Sequence, residues 1–175
     1  MEIEPKGILV LTGTVGAGKT TVAAEIGDRL ADAGLPNAVV DLDWLGWVNA
    51  GDEFHGHDLL IVQNLVSCWT NYRAVGVEYL VLARALLQRE PLDILGQTFS
   101  RTPVIVVRLV ASKETIEKRL SQRDSGEALR EHLAEMEEMN RVMDKLHLEH
   151  AVVATDGVSV EALARQIISI AGWKR

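Results

Sequence analysis

The sequence predicts an α/β fold in which a five-stranded parallel β-sheet carries helices on both faces. Short apolar runs, typical of strands buried on both sides, alternate with stretches whose apolar residues recur every three to four positions, typical of amphipathic helices. A glycine-rich turn joins the first apolar run to the first helical stretch. Strands and helices that alternate in this way form parallel sheets with crossover helices. At 175 residues, the chain is long enough for one domain and short for two.

In the first half of the chain, the apolar run at 8–11 predicts strand one, and Val22, Ile26 and Leu30 mark the buried stripe of the first helix. Residues 44–58 contain three glycines and no sustained period, which indicates a loop or a broken helix. The other elements predicted here are a strand at 38–40, a helix at 59–74, a third strand at 77–83 and a helical stretch at 84–100 that Pro91 interrupts.

The second half continues the same alternation. Ser112 is expected to cap a helix that runs to Arg119, and Ser159 is expected to cap the last helix. Residues 121–127 are polar and contain a glycine, which separates that first helix from a longer one. The remaining predicted elements are strand four at 103–109, a long helix through 129–143 and strand five at 151–154.

Composition and charge exclude several classes of function. With a formal net charge of −7 and no run of basic residues, the chain would repel RNA or DNA, so no nucleic-acid partner is expected. The apolar runs are far shorter than the roughly 20 residues of a membrane span, so no membrane association is expected. The single cysteine, Cys68, cannot form an internal disulfide, and the first residues do not show the charged and then apolar pattern of a signal peptide, so none is expected. These features favour a cytoplasmic protein, and a monomer or homodimer is expected.

A phosphate-binding motif occupies the turn between strand one and the first helix. Its eight positions match the pattern G-x-x-x-x-G-K-[ST] without a mismatch. Glycines let successive backbone N–H groups turn towards a phosphate at the positive end of the helix. Lys19 would contact the β- and γ-phosphates of ATP, and Thr20 would offer its hydroxyl to Mg²⁺. The residues predicted to bind ATP here are Gly13, Thr14, Val15, Gly16, Ala17, Gly18, Lys19, Thr20 and Thr21.

The position of the acidic residues distinguishes among the classes of protein that share this motif. The sequence has no Asn-Lys-x-Asp segment, with which a GTPase would read guanine, and strand three runs into Arg84 without the acid that mechanical ATPases usually carry. Asp41 and Asp43 follow strand two instead, and two acids spaced i, i+2 on an extended strand point the same way. We therefore expect both carboxylates to face the phosphate site. Alternatively, they only end the strand and cap the next helix.

With this motif and these acids, the sequence resembles the nucleoside-monophosphate-kinase-like group of small kinases. The group includes shikimate, gluconate and adenylylsulfate kinases and chloramphenicol phosphotransferase, and the resemblance extends over nearly the whole chain as an order of elements. It implies a three-layer P-loop NTPase fold with strand order 2-3-1-4-5, a single domain over residues 1–175, and the use of ATP and Mg²⁺. By position, Asp41 matches the carboxylate on the metal side, and Asp43 matches the base that accepts the proton of the acceptor hydroxyl.

The same resemblance implies a short arginine-bearing lid at about 120–128. Arg119 and Arg123 match the two lid arginines, of which the first lies beside the nucleotide and the second reaches its phosphates on closure. Because exposed helix ends often carry arginine, Arg123 is alternatively a solvated charge. The turn that begins at Thr155 matches the segment that relatives place at the adenine edge.

The acceptor is expected to bind within residues 44–84. The residues predicted to contact it are Asp43, Trp44, Arg73 and Arg84. Trp44 and Trp47 would alternatively lie in the core. The acid- and histidine-rich segment at 52–58 does not fit the shared kinase pattern, and its histidines lack the further ligands of a metal site. We interpret it, with Trp44 and Trp47, as part of the acceptor pocket, and its exact role stays open.

Together, these features predict an ATP- and Mg²⁺-dependent kinase that transfers the γ-phosphoryl group to a hydroxyl of a small metabolite. Lys19, Arg119 and Arg123 would stabilise phosphoryl charge, and Asp43 would position the acceptor. A nucleoside monophosphate kinase is a second interpretation, which would need several arginines around the acceptor phosphate. A third, of another class, is an ATP-binding regulator that transfers no phosphate.

Overall fold

The structure is a computed structural model that describes residues 4–49, 57–122 and 125–173. Its strands are β1 (Gly7–Thr12), β2 (Asn37–Asp41), β3 (Tyr79–Ala83), β4 (Val104–Val110) and β5 (Ala151–Ala154). All of them pair in parallel, in the order β2-β3-β1-β4-β5. The sheet and its strand order confirm the fold class expected from the sequence.

Helices connect the strands and cover both faces of the sheet. They are α1 (Lys19–Asp32), α2 (Leu42–Leu45), α3 (His57–Ala74), α4 (Glu90–Thr98), α5 (Lys113–Ser121), α6 (Gly126–Leu146) and α7 (Val160–Ile170). Side chains of a strand point alternately to the two faces of a sheet. Leu9 and Leu11 of β1 accordingly pack with residues of α1 and α7 on one face, and Ile8 and Val10 pack with residues of α3 and α4 on the other. The central strand is therefore held from both sides, which fixes the turn that follows it.

Strand three begins two residues later than predicted, at Tyr79. The backbone N–H groups of Gly76 and Val77 donate to the carbonyl oxygens of Arg73 and Tyr72 in the last turn of α3. These hydrogen bonds to carbonyl groups of the last helical turn close the helix before the chain enters the strand.

Two further predictions needed correction. The stretch at 84–100 is helical only from Glu90, and Pro91 lies in the first turn of α4, where the missing proline N–H costs no helical hydrogen bond. Residues 42–45, which follow strand two, form the short helix α2. Within the described residues, no helix is long and apolar enough to cross a membrane.

Candidate active site

The glycine-rich turn after β1 leads into α1 at the carboxyl edge of the sheet. Gly18 is the N-cap of α1 with a left-handed φ of 96°, and Gly13 has a φ of 145°. A Cβ atom at residue 13 would lie 2.5 Å from the carbonyl oxygen of Leu109, so only glycine fits there. The start of the 14-residue helix α1 supplies unpaired N–H groups and the positive end of the helix dipole, which suit a phosphate.

Lys19 lies within this loop. Its Nζ atom donates hydrogen bonds to the carbonyl oxygens of Gly13, at 3.0 Å, and Thr14, at 2.9 Å. Burial lowers the pKa of the Lys19 ammonium group from its ordinary value. The carboxylates whose charges oppose this shift are those of Asp43, Asp41 and Glu135. Lys19 is therefore a poorly hydrated cation that an anion bound in the loop would stabilise.

Thr20 and Asp41 meet beside the loop. Thr20 Oγ1 donates to Asp41 Oδ2 at 2.8 Å, and Asp41 Oδ1 accepts from the backbone N–H of Asp43 at 3.2 Å. Hydroxyl and carboxylate oxygens suit Mg²⁺, and two neighbouring ligands of an octahedral Mg²⁺ would lie about 2.9 Å apart. The observed spacing therefore fits an ion held by Thr20 and Asp41. No group of three or more His, Cys, Asp or Glu side chains forms a metal site in the described part of the chain, and Mg²⁺ needs none when phosphates complete its shell.

Asp43 lies in the first turn of α2, next to Asp41. The predicted extended i, i+2 arrangement was wrong, because β2 ends at Asp41 and Asp41 also caps α2. The protein around Asp43 partly shields its carboxyl from water, which raises its pKa, and the charge of Asp41 raises it further. The positive charges of Arg84 and Lys19 act in the opposite direction. Asp43 is thus an exposed carboxyl with an increased affinity for a proton, close to the lysine of the phosphate loop.

Arg119, in the last turn of α5, fastens the phosphate loop to the turn after β5. Its Nη1 atom donates to the carbonyl oxygens of Gly16, at 3.2 Å, and Ala17, at 3.3 Å, and to Thr155 Oγ1 at 3.1 Å. Its Nη2 atom donates to the carbonyl oxygen of Thr155 at 3.4 Å. Arg119 therefore joins the two segments expected to bind the phosphates and the adenine.

A cavity of about 490 Å³ opens between these segments. Its polar wall is the phosphate loop with Thr21, Arg119 and Thr155. Its apolar lining is supplied by Val15, Leu120, Val158, Val160 and Leu163. A cavity with backbone donors at one end and apolar side chains at the other suits a nucleotide. The neighbouring Asp156 accepts from Ser112 N and Oγ, and with the hydroxyl of Thr115 these bonds lower the Asp156 pKa to about 2.

On the other side of Asp43, two tryptophans of the α2 region form an exposed pair. The ring centroids of Trp44 and Trp47 lie 5.0 Å apart with an interplanar angle of 25°. The two residues are 69% and 79% exposed, so the alternative that they belong to the core was wrong. The backbone beneath them is held in place because Leu42 is buried and Asn64 Nδ2 donates to the carbonyl oxygen of Leu45 at 2.8 Å.

Arg84 follows β3 on this same side, and a buried carboxylate neutralises it. Arg84 Nη2 donates to Asp58 Oδ1 at 2.5 Å, and Gln88 Nε2 also donates to Asp58. The Arg84 and Asp58 side chains are only 16% and 8% exposed. Arg84 lowers the pKa of Asp43 electrostatically, as expected for a residue of the acceptor side, although it is also paired with Asp58.

Arg73 is not brought together with the other predicted residues. It lies in the last turn of α3, in a depression that also contains Glu4 and Arg101. It lies 15 positions after Asp58 in the same helix, which corresponds to about 22 Å along the helix axis. Arg123 and residues 52–56 of the acid- and histidine-rich segment lie outside the described residues, so their predicted roles stay predictions.

Two residues near the site were missed by sequence reasoning. Gln88 completes the Arg84 cluster, and Glu135 of α6 acts electrostatically on Lys19. Asp58, which pairs with Arg84, is the last residue of the segment at 52–58 that sequence reasoning had singled out. Only the folded chain brings Gln88 and Glu135 to this edge of the sheet.

The chain has a parallel sheet of order β2-β3-β1-β4-β5, with a phosphate loop after β1, an acid at the end of β2 and a second acid at the start of α2. This arrangement matches the P-loop kinase fold of the solved structures described below. The sequence matches no family model, and no curated protein is similar to it by sequence.

Solved structures of similar shape are available for comparison. The tunicamycin resistance protein of Deinococcus radiodurans is similar with a TM-score of 0.68 and 16% identity, over 97% of each chain. Shikimate kinase from Acinetobacter baumannii, in complex with shikimate, has a TM-score of 0.62 and 21% identity, over 95% of this chain and 93% of that one. The APS kinase of Mycobacterium tuberculosis, in complex with AMPPNP and APS, has a TM-score of 0.56 and 17% identity, over 95% of this chain and 98% of that one. At these identities, the comparison shows that the fold is shared.

Proposed function

We propose that this protein is a kinase that transfers the γ-phosphoryl group of ATP to a hydroxyl group of a small acceptor. The observation that carries the proposal is the position of Asp43. It is an exposed carboxyl beside the phosphate loop, close enough to Lys19 for each charge to shift the pKa of the other group. A general base next to a phosphate-binding lysine is what hydroxyl phosphorylation requires.

In this proposal, the residues have separate tasks. The N–H groups of the loop and Lys19 hold the phosphates, Thr20 and Asp41 hold Mg²⁺, and Arg119 keeps the loop in place. Mg²⁺-ATP, when bound, supplies the phosphoryl group and part of the charge neutralisation. Asp43 accepts a hydrogen bond from the acceptor hydroxyl and orients its oxygen. That oxygen forms a bond to the γ-phosphorus, the bond from phosphorus to the bridging oxygen breaks, ADP leaves, and the proton goes to Asp43.

Other features are consistent with a small acceptor. Kinases of the same fold have been solved with shikimate and with APS, which are small molecules. The net charge of −7 disfavours a nucleic-acid substrate. We also propose that the chain acts as one cytoplasmic domain, as a monomer or homodimer, with Arg123 contributing charge from a lid at about 120–128.

The nucleoside monophosphate kinase is the weaker candidate. Only Arg73 and Arg84 are basic in residues 44–84. Arg73 lies at the far end of α3, and Arg84 is paired with Asp58. Little positive charge is therefore left on the acceptor side for a second phosphate.

Isotope transfer tests the proposal. The full chain is incubated with Mg²⁺, a mixture of hydroxyl metabolites and ATP whose γ-phosphate carries ¹⁸O, and mass spectrometry then searches for labelled phosphate on a discrete compound. Asp43→Asn should lower turnover about 10²- to 10³-fold with unchanged ATP affinity, because it removes the base and leaves the phosphate loop intact. Asp32→Asn, which changes an exposed acid at the other end of α1, is the control.

Two results would contradict the proposal. Full turnover by Asp43→Asn would refute the role of the base. Binding of ATP without label on any compound would favour the regulator that transfers no phosphate. Lys19→Met should abolish phosphoryl transfer whether it is combined with Asp43→Asn or with the control Asp32→Asn, because Lys19 is the cation of the phosphate loop.

A further inference from the structure

Trp44 and Trp47 have no structural task that explains their position. Neither belongs to a core cluster, whereas Trp69 is 6% exposed and packs edge-on against Phe99. Large exposed aromatic side chains are uncommon on a protein surface and are enriched where ligands or partners bind. Two stacked rings, one and four residues after Asp43 in the chain, therefore indicate a contact surface for the molecule that Asp43 would deprotonate.

The backbone of α2 is well placed to hold these rings still. Leu42 is buried in the core, and Asn64 binds the carbonyl oxygen of Leu45. A Cβ atom at Gly46 would lie 2.4 Å from Ile61 Cδ1, so the chain here lies directly on α3. The two rings can therefore receive a flat molecule without a loss of backbone order.

The charges around this surface disfavour an anion. Asp41, Asp43 and Asp58 lie on this side, and Arg84 is the cation placed among them. Lys19 is bound within the phosphate loop and would serve the nucleotide. The next cation along the chain is the exposed Arg89, which precedes Glu90 and, three residues later, Asp93. An acceptor with a phosphate or carboxylate group would therefore meet net negative charge.

We propose that the acceptor is a hydroxyl compound with a flat ring, uncharged or positively charged, whose ring lies against Trp44 and Trp47 while its hydroxyl reaches Asp43. The proposal rests on the proposed function, because it takes Asp43 as the base. It goes further in assigning the charge and shape of the acceptor. A positively charged substituent would gain from both the carboxylates and the faces of the tryptophan rings.

A series of ligands with one ring and three charges tests it. The probes are 4-hydroxybenzylamine, 4-hydroxybenzyl alcohol and 4-hydroxybenzoate, titrated calorimetrically into the full chain saturated with Mg²⁺ and a non-hydrolysable ATP analogue. The amine and the alcohol should bind at least tenfold more tightly than the benzoate, because only the benzoate adds negative charge. Equal or tighter binding of the benzoate, or no binding by any of the three up to 10 mM, a limit of roughly −3 kcal/mol, would overturn the proposal.

Substitutions then test the tryptophans. Trp44→Ala with Trp47→Ala should weaken binding of the alcohol about tenfold and leave the affinity for the ATP analogue unchanged. The double substitution to Phe should restore most of the affinity, because it keeps a flat ring. Val75→Ala, which truncates a side chain that is 81% exposed beyond the end of α3, is the control. Unchanged binding by the double alanine variant would refute the ring contact.

Failure of this inference and failure of the proposed function give different results. Label transfer from ATP mainly to anionic acceptors would contradict the assigned charge and leave the kinase intact. Absence of label on every acceptor, together with the expected order of ligand binding, would refute the kinase and leave a binding site for uncharged or cationic rings.

Discussion

The two sides of the site are built in different ways. The nucleotide side is built largely on backbone groups, and Thr14 and Ala17 of the loop and Thr155 opposite are each at most 3% exposed. The acceptor side presents side chains on a four-residue helix, and its two tryptophans are more than two-thirds exposed.

The difference has a physical cause. A triphosphate is always the same ligand, so a fixed set of N–H groups and one lysine suffices, and the fold itself forms the site. Acceptors differ from one enzyme to another, and exposed side chains can be changed with little effect on the core. Changes on the nucleotide side should therefore reduce stability and ATP binding together, and changes at the exposed acceptor positions should affect the acceptor alone.

The largest effect should come from Gly13→Ala in the phosphate loop. The new Cβ atom would lie 2.5 Å from Leu109 O at a φ of 145°, so the loop must shift. We expect an unfolding free energy lower by about 2–4 kcal/mol and ATP binding weakened at least about 100-fold. Chemical denaturation and calorimetry would measure both. A Cβ atom added at Gly96 in α4 would have no atom within 4 Å, so Gly96→Ala should instead stabilise the protein by about 0.5–1 kcal/mol. Equal stability of the two variants would contradict the special role of glycine in the phosphate loop.

Asp58→Asn should be an exception on the acceptor side. It would leave the mostly buried Arg84 without its ionic partner, and we expect a loss of about 3 kcal/mol in denaturant unfolding. Glu78→Gln breaks the exposed pair with Lys6 and should cost less than about 0.5 kcal/mol. Asp58→Asn should also make the binding of 4-hydroxybenzoate less unfavourable relative to the amine and the alcohol, because it removes a negative charge from the acceptor side. A loss no larger than that of Glu78→Gln would show that Asp58 is not a structural partner of Arg84.

The pH dependence of turnover should report Asp43. The base must be ionised, so kcat should fall as the pH falls through the Asp43 pKa, which lies above its ordinary value of 3.8. A raised pKa in the folded state means that protonation stabilises the fold and that this stabilisation is lost as the pH rises through that pKa. Asp43→Asn should therefore be at least as stable as the natural protein at pH 7, as measured by thermal unfolding. Clear destabilisation would indicate that the Asp43 carboxylate has a structural role instead.

The smallest effect should come from Asp156→Asn beside the nucleotide cavity. The pKa of Asp156 is about 2 in the folded state, below its ordinary value of 3.8. Its contribution to stability is therefore complete above the ordinary value and lost as the pH falls through about 2. Acid unfolding followed by circular dichroism should be less steep between those two values in the variant. Ser112→Ala removes a donor to the same carboxylate and should give a change of the same sign.

Most of the fold could be predicted, because its signals are local and repeated. The apolar run of β1, the glycine loop and the serine caps at Ser112 and Ser159 act through near neighbours in the chain. The start of β3 was missed because it depends on how α3 ends. The geometry of Asp41 and Asp43 was missed because the extended backbone ends at Asp41, and Asp43 lies in the four-residue helix that follows.

The acceptor side was harder to predict than the nucleotide side because its contacts join residues that are far apart in the chain. Arg73 and Arg84 are equivalent in a sequence, and only the direction of α3 places one of them at the site and the other at the far edge. The pairing of Arg84 with Asp58 joins residues 26 positions apart, and no local pattern announces it. The phosphate motif, in contrast, is contiguous.

The attachment of α2 has a consequence for adaptation. Leu42, the carbonyl of Leu45 and Gly46 fasten the segment to the body of the protein, and the tryptophan rings take no part in that attachment. Substitutions at positions 44 and 47 could therefore change the acceptor that binds, because the scaffold tolerates almost any side chain there. A combinatorial library at these two sites should contain mostly folded proteins, whereas the same diversity at position 46 should be tolerated less well, because any Cβ atom there requires the Ile61 side chain to move. Such a surface allows new specificities to arise by few mutations.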